Sequence, residues 1–167
     1  MKYLFLSLLT FILVLLQTSL IHFMAIRGVW PNLVLVTLLA LGITKAPKGS
    51  FFVAVLGGVL LDLSRQTLFG LSSLMFVIFL TFVSFYIRIF GDGLFQRFLL
   101  GFLFALIYRG IFAFSSLLFA PTIIISNILS GGVLDGILLN VVYPFILWIQ
   151  DNLLPRKDLQ LSFRRKL

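Results

Sequence analysis

The stretch Gly57-Gly58-Val59-Leu60-Leu61-Asp62 ends an apolar run on an aspartate, and Gly131-Gly132-Val133-Leu134-Asp135 repeats the phrase far downstream in the 167-residue chain. Each aspartate is surrounded in sequence by Leu, Ile, Val and Phe. An ionised side chain at membrane depth costs about 2.5 kcal/mol or more, so a carboxylate placed there is expected to have a partner and a role. The two aspartates are therefore the first candidates for functional residues.

The composition around these phrases is that of an integral membrane protein. Apolar residues make up 61% of the chain and charged residues 11%, which leaves no segment between Tyr3 and Ile149 polar enough for a soluble domain. The length allows roughly six spans of about 20 residues. Because the chain has no cysteine, disulfides, thiolate metal sites and cysteine nucleophiles are excluded. The net charge of +8 is explained by membrane topology, so no nucleic-acid partner is predicted.

The apolar runs predict an all-α polytopic fold with six transmembrane helices, the second and third of them short. The predicted spans cover residues 3–26, 31–46, 49–63, 71–90, 98–119 and 122–149. We expect one transmembrane domain over residues 1–154 and a basic cytoplasmic tail over 155–167. The first run is longer than the h-region of a signal peptide, so it is predicted to be a retained helix.

The basic residues predict the topology. About ten of the 13 lysines and arginines fall on one side of the six-span arrangement, and only Arg27, Arg65 and Arg109 fall on the other. Loops rich in Lys and Arg stay in the cytoplasm. Both termini are therefore predicted to be cytoplasmic.

Depth along the predicted helices indicates which charges can meet. Asp62 and Arg109 lie at similar depth, about 21 and 18 Å from the cytoplasmic ends of their helices. Arg65 follows Asp62 by three residues and is a second candidate partner. Asp135 is expected nearer the cytoplasmic half, within reach of the basic loops. We therefore favour a pair of Asp62 with Arg109 over a pair of Asp135 with Arg109.

Several interpretations of these residues stay open. Intramembrane ion pairs most often hold helices together, and the alternative is a site for a polar group of a ligand or partner; a proton pathway would need more titratable groups. Gly57 and Gly58 favour close helix packing, or they belong to an internal repeat of two related halves. Gln17, Asn127 and Asn140 are predicted to donate hydrogen bonds between helices.

No motif for catalysis occurs in the sequence. It has no His-Glu-x-x-His, no Gly-x-Ser-x-Gly and no phosphate-binding Gly-x-x-x-x-Gly-Lys. The prediction is a protein that is not an enzyme and that has no catalytic residue, metal or cofactor.

After a long first helix, Pro31-Asn32 opens a short apolar run, a basic turn follows, and the phrase ending in Asp62 precedes Gly70-Leu71 at the start of the next span. This order resembles the MreD family of bacterial rod shape-determining proteins. The likeness covers nearly the whole chain and is most specific between Pro31 and Leu71. Asn32 and the Gly57-Gly58 pair are variants of the family's pattern.

The resemblance implies a non-enzymatic adaptor of the cell-elongation machinery in the bacterial cytoplasmic (inner) membrane, supporting rod shape and lateral peptidoglycan synthesis. It implies the single-span protein MreC as a direct partner. The MreB filament and the elongation transpeptidase and glycosyltransferase are implied as indirect partners. The tail is expected to contact membrane lipids. Candidate partner or pocket residues are Asp62, Arg65, Arg109, Asp135, Gly57 and Gly58, and the candidate structural motif is Pro31, Asn32 and Gly70.

A second function follows from the same resemblance. The family is similar in fold to the substrate-binding subunits of energy-coupling-factor transporters, so the alternative is a vitamin-type solute-binding subunit. Such subunits usually carry small residues, often alanines, on the first helix for docking. The first span here has a single alanine, Ala25.

Overall fold

The computed structural model describes residues 2–19, 31–44, 47–65, 69–117 and 125–153. The predicted tail, the end of the first span and most of the loops lie outside these ranges. The described residues form six α-helices and no strand, which confirms the predicted all-α class. The helices are α1 (Lys2–Ser19), α2 (Leu33–Ile43), α3 (Pro47–Arg65), α4 (Leu71–Phe90), α5 (Leu94–Leu117) and α6 (Ile125–Leu153).

Three of these helices contain segments long and apolar enough to cross a membrane. The segments are Leu71–Phe90, Leu94–Phe114 and Asn127–Ile149. Shorter apolar helical segments cover Leu8–Ser19, Leu33–Ile43 and Ser50–Ser64. The protein therefore has the helices of a membrane protein, in agreement with its composition.

The bounds of α4 agree with those predicted because glycines mark both ends. Gly70 has φ +90° and Gly91 has φ +78°. Residues with a Cβ rarely adopt this left-handed region, so the chain turns at these glycines and the helix begins and ends there.

The core of the bundle is α2. All its residues from Val34 to Leu41 are buried, and it contacts each of the other five helices. A helix that is apolar on every side is buried on every side. Its 11 residues cover about 16 Å, roughly half of the hydrocarbon core of a bilayer. It is a half-length helix enclosed by longer ones.

The other five helices surround α2. Contacts join α1 to α3, α3 to α4, α4 to α5 and α5 to α6. Within the described part of the chain, α1 and α6 do not pack directly against each other, and both pack against α2.

Apolar side chains line the outer surfaces of the long helices at intervals of three or four residues. The exposed set on α4 is Leu74, Ile78, Phe82, Phe85 and Ile89, and the exposed set on α6 is Val133, Ile137, Val141, Phe145 and Trp148. We call these the α4 stripe and the α6 stripe. Contiguous apolar surfaces of this kind mark membrane or protein contacts.

Candidate functional site

Asp62, near the end of α3, holds the first turn of α4. Its carboxylate accepts the backbone N–H of Gly70 at 2.8 Å and that of Ser72 at 3.1 Å. The first N–H groups of a helix have no partner inside the helix, and negative charge is favourable beside them. Gly70 is the N-cap residue and has no side chain that could accept these bonds. Asp62 therefore caps α4 from the preceding helix; the side chain of Arg65 lies outside what the structure describes.

Gly58 explains how Asp62 can reach this turn. It lies four residues before Asp62, on the same side of α3. A Cβ atom on Gly58 would collide with the backbone of Ser73, whose hydroxyl donates to the carbonyl of Val55 at 2.9 Å. The missing side chain lets the start of α4 approach α3 closely, and Asp62 meets the N–H groups exposed there.

Asp135, in α6, binds the N-terminus of α2, as Asp62 binds that of α4. It is fully buried. Its Oδ1 accepts the backbone N–H of Asn32 at 2.7 Å, and its Oδ2 accepts from the guanidinium of Arg109 in α5 at 3.0 Å. A Cβ atom on Gly131, four residues before Asp135, would collide with that guanidinium. One carboxylate thus connects α2, α5 and α6.

Two further side chains complete the cap of α2. Asn32 is its N-cap residue, and its Oδ1 accepts the N–H of Leu35 at 3.2 Å. Gln17 of α1 accepts the N–H of Val34 through Oε1 at 3.2 Å. Gln17 therefore joins two helices as predicted, but it accepts the hydrogen bond, whereas we expected it to donate one. Acceptors from α1, from α6 and from Asn32 itself thus bind three N–H groups at the start of α2.

The pairing of Arg109 corrects our prediction. We expected Arg109 beside Asp62, but its ion pair is with Asp135. Depth along the helices did not show which helices are neighbours. In the described part of the chain α5 packs against α6 and does not contact α3, so Arg109 meets Asp135 rather than Asp62.

A hydrogen bond links the two aspartate sites. The hydroxyl of Ser72 lies 3.1 Å from that of Tyr108, and Tyr108 precedes Arg109 in α5. The N–H of Ser72 is bound by Asp62, and Arg109 is bound by Asp135. Both aspartates therefore lie toward the same end of the bundle. Sequence reasoning missed Ser72 and Tyr108, although a tyrosine next to an intramembrane arginine was the available signal.

The other end of α5 and α6 carries a separate polar cluster. The Arg97 guanidinium lies 4.2 Å from the centre of the Tyr143 ring, and the Tyr143 hydroxyl donates to Asp92 at 3.5 Å. Tyr143 is eight residues beyond Asp135, or about 12 Å along α6. Arg97, one of the basic residues expected to reach Asp135, is thus placed away from it; the side chains of the basic turn at Lys45 and Lys48 lie outside the described residues.

The remaining predicted residues have local roles. A Cβ atom on Gly57 would lie 2.9 Å from Val34 and 3.1 Å from Thr10, so Gly57 lets α1 and α2 approach α3. Asn140 donates to the carbonyl of Gly136 in its own helix at 3.4 Å, which corrects the predicted bond between helices. Asn127 is exposed near the start of α6.

The arrangement can fix the starts of two helices inside a bundle. Both carboxylates accept backbone N–H groups, and neither lies in a group of metal-ligating residues within the described part of the chain. No family model matches the chain, and searches of curated proteins and of solved structures found no match.

Proposed function

We propose that the protein is a non-enzymatic adaptor of the bacterial cell-elongation machinery, of the MreD type, which binds MreC in the cytoplasmic membrane. The observation that best supports this proposal is the structural role of the residues in the motif that resembles the MreD family. Asn32 caps α2, Gly57 packs against α2, and Asp62 caps α4 at Gly70. Residues that fix the packing of a helix bundle are expected in a scaffold protein, which acts through its surface, rather than in an active site.

The outer surface supports the same proposal. The α4 stripe and the α6 stripe present exposed apolar side chains along two long helices. Helices associate in lipid through close packing of such faces. A single-span partner such as MreC would pack against one of them, and the complex would connect the MreB filament with the elongation transpeptidase and glycosyltransferase.

The topology is part of the proposal. Three helices have the length and composition to cross the membrane, and we propose six crossings with both termini in the cytoplasm. The distribution of basic residues supports this orientation. On this arrangement α2 begins inside the membrane, at the depth of the Arg109–Asp135 pair, and runs toward the cytoplasm.

A second candidate function rests on α2 itself. Transporters place their substrates at the N-termini of helices that begin inside the membrane, and α2 is buried and only 11 residues long. This observation favours a solute-binding subunit of an energy-coupling-factor transporter, a class to which the MreD family is similar in fold.

One experiment separates the two functions. The tagged chain is purified in mild detergent from a rod-shaped bacterium, and the membrane proteins recovered with it are identified by mass spectrometry. Stoichiometric recovery of an MreC-like single-span protein supports the adaptor. Recovery of a transmembrane coupling subunit with paired ATPases supports the transporter subunit, and recovery of neither contradicts both.

Matched variants then locate the contact. Phe82→Ala with Phe85→Ala alters the α4 stripe, and Val141→Ala with Phe145→Ala alters the α6 stripe. Each pair leaves the buried contacts unchanged, because all four side chains are exposed. We expect one pair to lower partner recovery several-fold while the other leaves it unchanged. Equal recovery with both pairs would place the contact elsewhere.

A further inference from the structure

Two pairs of consecutive helices pack with their backbones in contact at glycines. A Cβ atom on Gly58 of α3 would collide with the backbone of Ser73 in α4. A Cβ atom on Gly101 of α5 would lie 2.9 Å from the Cα atom of Gly136 in α6, and one on Gly136 would lie 2.8 Å from the carbonyl oxygen of Phe98 in α5. Small residues allow such close packing of helices in lipid. We call the two pairs the α3–α4 hairpin and the α5–α6 hairpin.

Polar contacts strengthen each hairpin. In the α3–α4 hairpin, Asp62 accepts N–H groups of the first turn of α4, and the hydroxyl of Ser73 donates to the carbonyl of Val55. In the α5–α6 hairpin, Arg109 donates to Asp135 at 3.0 Å. Backbone contact together with hydrogen bonds leaves little freedom for the helices of one hairpin to move apart. Each hairpin is therefore expected to behave as a rigid body.

The boundary between the hairpins, where α4 meets α5, is built differently. The rings of Phe76 and Tyr108 stack with their centres 5.5 Å apart, and the centres of the Phe79 and Phe104 rings are 4.7 Å apart. The α4 helix contains no glycine, and a Cβ atom on Gly110 of α5 would meet nothing within 4 Å. The two helices thus meet through side chains. Because lipid tails are as apolar as these side chains, no hydrophobic force opposes their separation in a membrane.

Two hydrogen bonds cross this boundary near its opposite ends. The Tyr86 hydroxyl donates to the carbonyl of Gln96 at 3.2 Å, near the turn that begins at Gly91 and joins α4 to α5. The hydroxyls of Ser72 and Tyr108 lie 3.1 Å apart, and both residues are buried. Ser72 is about 28 Å along α4 from Gly91. Because a short turn holds the helices together at Gly91, separation is expected to be greatest at the end with Ser72 and Tyr108.

We propose that the two hairpins pivot about the turn at Gly91, and that the hydrogen bond between Ser72 and Tyr108 is a latch that holds them closed. Rotation of packed elements about a short connection is a common form of conformational change. The structure describes the closed state. In the open state the aromatic faces of α4 and α5 contact lipid chains, while α2, which contacts both hairpins, keeps them in one bundle. The latch depends on contacts within the chain and not on the proposed function.

Distances between spin labels on the full-length protein in lipid nanodiscs test this proposal. The chain has no cysteine, so labels attach only at introduced positions. Three label pairs are made from four exposed positions: Leu74→Cys with Ile111→Cys across the boundary, Val55→Cys with Leu74→Cys in the α3–α4 hairpin, and Ile111→Cys with Val133→Cys in the α5–α6 hairpin. Because all four side chains are exposed, the labels leave the packed interfaces intact.

Two variants open the latch without removing an aromatic ring from the boundary. Tyr108→Phe and Ser72→Ala each remove the hydrogen bond between the hydroxyls, and Ser72→Ala keeps the backbone N–H that Asp62 binds. We expect either variant to shift the distance across the boundary to larger values and to leave the two distances within the hairpins unchanged. Combining the variants is expected to add no further shift, because both remove the same bond.

Tyr86→Phe is the matched control. It removes a hydroxyl of the same kind near the turn, where the connection already limits separation. It is therefore expected to leave the distance between the labels at Leu74→Cys and Ile111→Cys unchanged, and an equal shift with this variant would contradict the position of the latch. Unchanged distances in both latch variants, or equal shifts in all three label pairs, would overturn the proposal.

Discussion

The phrase that ends in Asp62 and the phrase that ends in Asp135 have the same structural role in different surroundings. Each places a glycine four residues before an aspartate, and each aspartate caps the N-terminus of another helix. They differ in what fills the space beside the glycine. At Gly58 it is the backbone of Ser73, and at Gly131 it is the guanidinium of Arg109.

The local sequence determines one part of each aspartate's role, and the neighbouring helix determines the other. The spacing of glycine and aspartate on one helix face supplies the close approach and the capping acceptor in both places. The neighbouring helix decides whether a charge is also present. Asp135 carries a buried ion pair in addition to its cap, so equal substitutions in the two phrases should have unequal effects.

The largest difference is expected for alanine at the two aspartates. Asp135→Ala leaves the mostly buried Arg109 without its carboxylate and uncaps α2, and breaking a buried pair in this way costs about 3–5 kcal/mol. Asp62→Ala removes a cap and should cost about 1–3 kcal/mol. The free energy of unfolding in mixed micelles, measured by circular dichroism during denaturant titration, checks the order.

A double variant shows whether the unpaired charge of Arg109 causes the larger loss of stability expected for Asp135→Ala. Replacing Arg109 by Met in the Asp135→Ala background removes the uncompensated charge. We expect it to recover part of the lost stability, with the remainder reflecting the missing cap. No recovery in the double variant would mean that the ion pair does not explain the difference between the phrases.

Alanine at Gly58 is the next largest change. Its Cβ would meet backbone atoms of Ser73, which cannot move without separating α3 from α4. Overpacking of this kind costs about 1–3 kcal/mol. Unfolding in micelles reports the loss, and spin labels on α3 and α4 should show the two helices moving apart; an unchanged separation would contradict the close approach.

Asn at position 62 tests the cap with a side chain of nearly the same size as Asp. Asp62→Asn keeps one acceptor oxygen but turns an NH2 group toward an N–H of α4, and it removes the favourable charge. Loss of such a cap costs about 0.5–2 kcal/mol. Amide hydrogen exchange at Gly70 and Ser72 should increase while exchange in the middle of α4 stays the same. Unchanged protection at both residues would show that the cap is dispensable.

The smallest effect is expected for Gly131→Ala. Its Cβ meets the end of the flexible Arg109 side chain rather than backbone. The guanidinium can move aside at a cost of about 0.5–1 kcal/mol, the energy of a strained rotamer. A loss in unfolding free energy as large as that of Gly58→Ala would show that the guanidinium is held as rigidly as a backbone.

The helical class and the span of α4 could be predicted from the sequence because they depend on local signals. An apolar run and the glycines at its two ends can be recognised from consecutive residues, and in the structure these glycines have positive φ. The short second helix was also recognised, since Pro31-Asn32 marks its start. Each of these features is decided within one element.

The ion pair was predicted with the wrong partner because it depends on several elements at once. The depths of the charges along their helices do not show which helices are neighbours, and in the described part of the chain α5 packs against α6 rather than against α3. The cap of α2 could not be derived either, because its acceptors come from α1 and α6, and only the fold brings Gln17 and Asp135 to Asn32. A buried helix start that needs acceptors is the general signal for such partners.

The enclosed α2 also constrains how the chain is made. The N–H of Asn32 and the carboxylate that binds it are 103 positions apart. When α2 leaves the ribosome, α6 has not been synthesised, so the half-length helix enters the membrane without the residue that completes its cap. Its final position is reached only after the last helix is inserted, and a chain that stops before Asp135 should be recognised by quality-control proteases as unfinished.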